Sequence, residues 1–123
     1  TIGQAPPPSP RLEYANGKVV RDANGNAVGG IRLPHMDAAT ATNNYNNYGS
    51  IGAGGNFFVN AFACPFLGNT VPFSKAKLQA LYPTHQDYVE KFTAAADAAL
   101  NAGFLVQADY DEAVAQAQAA EVP

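Results

Sequence analysis

Apolar and small side chains recur with helical spacing between residues 84 and 103. Tyr88, Phe92, Ala95, Ala96 and Ala99 fall on one stripe, as on the buried face of an amphipathic helix. Thr84 precedes the stripe, with Asp87 three residues on as an acidic stand-in for a capping-box partner. Gly103 is placed to stop the helix in a left-handed conformation. A shorter helix is predicted from a Ser74 cap and must end before Pro83. A last helix is predicted from an Asp109 cap with Glu112 as its box partner, carrying Tyr110, Val114 and Ala117 on one face. Residues 74–120 thus read as helices packed through small side chains. Alanines bury little area, so at about 25 cal/mol per Å² the docking rests on Tyr88, Phe92 and Leu100.

The front of the chain has the pattern of strands. Leu12-Glu13-Tyr14 and Val19-Val20-Arg21 flank Asn16-Gly17, a strong hairpin signal that recurs at Asn24-Gly25. Ala27-Val28 and Ile31-Arg32-Leu33 supply a further strand, bent at Gly29-Gly30 and ended by Pro34. Residues 11–34 therefore read as an antiparallel meander. Residues 1–10, with Pro6-Pro7-Pro8-Ser9-Pro10, read as an extended proline-rich linker. Residues 40–56 are rich in Asn and Gly, with Tyr45 and Tyr48 interleaved, and read as a long polar surface loop; its Asn and Tyr residues also suit adaptable binding contacts. The expected class is α+β, a small meander followed by a C-terminal helical segment.

The chain has 123 residues, one domain at most, with 14% charged residues and a net charge of −3. This balance offers no basic patch for nucleic acid or anionic lipid. No apolar run approaches the roughly 20 residues of a membrane-spanning helix.

No residue constellation identifies a chemistry. The serines are Ser9, Ser50 and Ser74, and none lies in a Gly-x-Ser-x-Gly turn. Thr1 invites comparison with amidohydrolases that use an N-terminal threonine, but a proline run follows where a buried strand is needed. His35 follows Pro34 at an expected strand end and is the candidate catalytic or substrate-contacting histidine. His85, in the first turn of a helix, reads as a surface residue. Asp22, Asn24 and Asn26 alternate like the start of a calcium loop. Ala27 stands where such a loop needs glycine, and no carboxylate closes it. One cysteine and two distant histidines match no metal-ligand spacing, and no cofactor motif is present. Cys64 cannot form an internal disulfide. It is either a buried thiol or a partner in a bridge to another polypeptide.

Several stretches resemble, in order, the C-terminal region of a family of large, often exported α/β-hydrolase domain-containing proteins. They are Ala5-Pro6-Pro7 with Pro10-Arg11-Leu12-Glu13, the run from Asp22 to Pro34, Cys64-Pro65-Phe66-Leu67-Gly68, Thr70-Val71-Pro72-Phe73, the run from Leu78 to Val89, and Ala102-Gly103-Phe104-Leu105. The resemblance implies that residues 11–123 form the C-terminal segment of an α/β-hydrolase fold. It implies a serine hydrolase acting on carboxylic esters or related acyl substrates, with the catalytic triad in an upstream polypeptide. This segment would then be non-catalytic, with Tyr45, Tyr48 and Asn56 in a substrate-pocket wall. The resemblance implies a secreted or periplasmic protein, a compartment in which a Cys64 disulfide is favoured. The alternative from another class is a non-enzymatic binding or structural subunit that uses the same Asn/Tyr/Gly-rich loop.

Overall fold

The computed structural model describes residues 7–44 and 68–123. The elements are β1 (Tyr14–Ala15), β2 (Lys18–Val19), α1 (Pro34–Asp37), β3 (Ala41–Asn44), β4 (Asn69–Pro72), α2 (Lys75–Leu81), α3 (His85–Asn101) and α4 (Gln107–Ala119). The described part is α+β, with two antiparallel strand pairs and four helices.

β1 and β2 pair in the register Tyr14↔Val19 and Ala15↔Lys18. Asn16-Gly17 forms the two-residue turn with both φ positive, at 51° and 74°. The second turn returns the chain through Arg21↔Ala27, and Leu12↔Gly29 adds a further bridge. A Cβ at Gly29 would lie 2.5 Å from the Arg11 carbonyl oxygen, so only glycine admits this approach.

The expected strand at Ile31-Arg32-Leu33 is not formed. Leu33 is instead the extended residue before α1, and Pro34 opens that helix rather than ending a strand. Proline suits the first helical position because its missing N–H has no partner there. Residues 40–56 are also not wholly loop. Ala41–Asn44 form β3 and pair with β4 in the register Ala41↔Pro72 through Asn44↔Asn69.

The helical half forms largely as its pattern predicts. Ser74 Oγ accepts the Lys77 N–H at the head of α2. Thr84 and Asp87 complete a reciprocal capping box at the head of α3. Those hydrogen bonds from Thr84 hold the Asp87 carboxyl below its usual pKa. At the other end Gly103 takes φ +78°, with its N–H on Leu100 O (3.0 Å) and that of Phe104 on Ala99 O (2.9 Å). α4 departs from expectation: it starts at Gln107 behind an extended Val106 that has no side-chain cap, and Asp109 lies within the first turn instead of before it.

The core lies between α1, α3 and the C-terminal tail. Tyr82, Tyr88, Phe92, Ala38, Ala117 and Val122 form one buried cluster. Tyr82 and Tyr88 meet edge to face at 5.2 Å, and Tyr88 tilts onto Phe92 at 5.8 Å. The Tyr82 hydroxyl donates to the buried Ala39 carbonyl at 2.8 Å, tying α2 to the residues after α1. Burial, with a smaller contribution from Tyr88, pushes the Tyr82 hydroxyl up to about 12. No helix of the described residues is long and apolar enough to cross a membrane.

Candidate functional site

Cross-strand register builds the site. Asn43 stands opposite Thr70 and Asn44 opposite Asn69. The Thr70 hydroxyl donates to Asn43 Oδ1, and Asn44 Nδ2 donates to Asn69 Oδ1, both at 3.0 Å. These four side chains form the polar wall of a cavity of about 420 Å³, and Leu12, Ala27 and Met36 form its apolar wall. That volume falls in the range of small-ligand pockets.

Two side chains, Asn26 and Thr42, hold the walls in place. Asn26 is fully buried, and its Nδ2 donates to Ala41 O (3.0 Å) while its Oδ1 accepts the Asn43 N–H (2.7 Å). Its side-chain amide thus occupies the place of a neighbouring strand along β3. Thr42 Oγ1 adds a bond to Asn24 O at 2.6 Å. Behind the apolar wall, Arg32 donates to Asp37 (2.5 Å), to Asp22 (3.1 Å), to Met36 O (3.1 Å) and to Ala27 O. Burial opposes its charge, but hydrogen bonds to Asp37 and Asp22 outweigh that and hold the guanidinium above its ordinary pKa. Arg32 therefore fixes the backbone of two wall residues, Ala27 and Met36.

Chemically the wall is neutral. Once the Asn44–Asn69 bond is made, Asn44 Oδ1 as an acceptor and the Asn69 Nδ2 group as a donor have no partner among the described residues. Such a pair can orient an uncharged group. Among the described residues the wall offers no general base, and its one hydroxyl there, that of Thr70, donates to Asn43.

The sequence candidates fare differently. Tyr45, Tyr48, Asn56 and Cys64 lie outside the described residues, as do Thr1 and Ser50. His35 is exposed on α1 with its ring edge-to-face on Phe92 at 5.1 Å, a packing contact. His85 is not a simple surface residue: Nδ1 faces Val122 O at 3.0 Å and Nε2 faces Gln118 O at 3.1 Å, pinning the tail after α4. Ser74 is a helix cap, and the Ser9 hydroxyl donates to its neighbour's carbonyl. The calcium-like turn spends its carboxylate internally. Asp22 Oδ1 accepts the N–H groups of Asn24 and Asn26, each at 2.9 Å, and Oδ2 pairs with Arg32. Among the described residues no group of three or more His, Cys, Asp or Glu is placed to hold a metal ion.

Sequence reading passed over Asn43, Asn69 and Arg32. Asn43 and Asn69 act through partners 17 to 27 positions away, whereas the partners of Arg32 lie within 10 positions but meet it only once the turn is folded. Only the doubling of Asn43-Asn44 gave a local sign.

Over residues 1–115 the chain matches a protein family described as an alpha/beta hydrolase domain. No curated protein and no solved structure matches it.

Proposed function

The chain belongs to the alpha/beta hydrolase domain family, and we propose that it is the C-terminal, non-catalytic part of a serine-hydrolase-like enzyme acting on carboxylic esters or related acyl substrates. Its role is to supply a wall of the substrate pocket, while an upstream polypeptide supplies the serine, histidine and acid. The observation that carries the proposal is the character of the cavity between the meander and the β3–β4 pair. It is apolar on one side, neutral and amide-lined on the other, and close to the start of the Asn/Tyr-rich stretch at 40–56. A neutral acyl group fits such walls without the desolvation penalty of a buried charge. In this reading Tyr45, Tyr48 and Asn56 also contact the substrate. Export, and a Cys64 bridge to the catalytic polypeptide, complete it.

The test uses protein isolated from its native source. Fluorophosphonate labelling is combined with intact-mass measurement under reducing and non-reducing conditions. The expected result is a labelled serine outside this sequence, on a polypeptide continuous with it, disulfide-linked to it or co-purifying with it. Labelling of Ser9, Ser50 or Ser74, or ester hydrolysis by the isolated 123-residue chain, would overturn the proposal.

A further inference from the structure

The sequence contains two Asn-Gly pairs, Asn16-Gly17 and Asn24-Gly25. In an Asn-Gly pair the glycine backbone nitrogen can attack the asparagine side chain, because no Cβ hinders the approach. The structure gives these two pairs opposite environments.

At the first turn Asn16 and Gly17 are exposed, and nothing lies within 4 Å of the position a Gly17 Cβ would occupy. Among the described residues, neither the Asn16 side chain nor the Gly17 N–H has a hydrogen-bond partner. Asn16 is also the one non-glycine described residue with positive φ. The two-residue strands β1 and β2 close this turn, with the Val20 N–H on Glu13 O at 2.9 Å as the next bond out.

At the second turn the nitrogen that would attack is occupied. The Gly25 N–H donates to Asp22 O at 2.9 Å. A Gly25 Cβ would stand 3.0 Å from the Thr42 methyl, Asn24 O accepts the Thr42 hydroxyl, and Arg21 donates to Gly25 O at 2.5 Å. Asp22 Oδ1 ties down the Asn24 and Asn26 amides as well.

We propose that Asn16 is a site of spontaneous deamidation and that the fold protects Asn24 from the same reaction. The Gly17 nitrogen bonds to Asn16 Cγ and gives up its proton to solvent. The Cγ–Nδ2 bond breaks and ammonia leaves. Water then opens the cyclic imide at either carbonyl, leaving aspartate or isoaspartate at position 16. The product adds a negative charge beside Lys18. In its isoaspartate form it also inserts one extra backbone carbon into the two-residue turn, which cannot keep the Tyr14↔Val19 register. The reaction requires the turn to open, and opening is easier where fewer contacts must break.

The folded chain is incubated at neutral pH and mapped by mass spectrometry after trypsin cleavage. The peptides Leu12–Lys18 and Asp22–Arg32 report the two sites separately. In the folded protein Asn16 is expected to convert at least about tenfold faster than Asn24, the factor given by roughly 1.4 kcal/mol of extra opening cost at the second turn. In denaturant the two rates should converge. Equal rates in the folded chain, faster conversion of Asn24, or a gap that persists in denaturant would each overturn the proposal.

Discussion

The two halves of this molecule are held together by different physics. The helical half is fastened by apolar burial, with Phe92 at 1% exposure and Tyr82 and Tyr88 packed around it. The strand half buries few large apolar groups and leaves Leu12, Tyr14, Ile31 and Leu33 exposed. It relies on Asn26, Thr42 and the Arg32–Asp22–Asp37 cluster. Apolar packing tolerates changes of shape at moderate cost. A buried hydrogen bond fails abruptly when one partner is removed. The pocket is built in the half with the more exacting geometry.

The largest expected effect tests the apolar half. Phe92→Ala should cost about 3–5 kcal/mol through lost contacts and the cavity left behind, measured by chemical denaturation. Hydrogen exchange on the same variant sharpens the contrast: amides of α3 and α4 should lose protection before that of Asn43. Simultaneous loss in both halves would mean that they form one cooperative unit.

Asn26→Ala tests the other half. Ala41 O and the Asn43 N–H lose their partner, which should cost about 1–3 kcal/mol. Its signature should be faster exchange at Asn43 with α3 still protected. If α3 loses protection equally, the distinction between the halves is wrong.

Tyr82→Phe should cost about 1.5 kcal/mol by leaving Ala39 O unpaired. It should also change the alkaline limb of the stability profile. The Tyr82 pKa is raised by folding to about 12 from an ordinary value of 10.0. The stability linked to this proton is therefore complete below pH 10 and lost as pH rises toward 12. A pH series of denaturation curves should show this phase in the parent and a reduced phase in Tyr82→Phe.

The smallest effect is expected at the α3 cap. Thr84→Ala should cost about 1 kcal/mol. It should also move the Asp87 carboxyl part of the way back toward its ordinary pKa, since the Thr84 hydroxyl bond is the largest cause of the lowering while the Thr84 backbone N–H and Lys91 remain. Carboxyl titration by NMR measures that return.

What was legible in the sequence is what neighbours decide. The Thr84–Asp87 box, the Ser74 cap, the Gly103 stop and the Asn16-Gly17 turn each involve residues close in the chain, so residue type and spacing suffice. The β3–β4 pair was not legible, because Asn44 meets Asn69 across 25 positions and neither segment alternates clearly. The α4 start was misplaced because the turn that ends α3 at Gly103 leaves Val106 extended, and the helix begins at once without waiting for Asp109. The Pro34 error has a similar origin: proline ends a strand and opens a helix equally well, and only the following residues decide which. The pocket was illegible for the same reason as β3–β4, since its polar wall exists only once the register is set.

The Asn26 side chain has one further consequence. By filling the outward backbone positions of β3 at Ala41 and Asn43, it removes a template on which a second polypeptide could add a strand. Across the pair, Pro72 in β4 has no N–H to offer such a strand. A short sheet with exposed apolar neighbours would otherwise invite fibrous self-association during synthesis. One buried amide thus acts as a safeguard of solubility as well as a brace for the pocket.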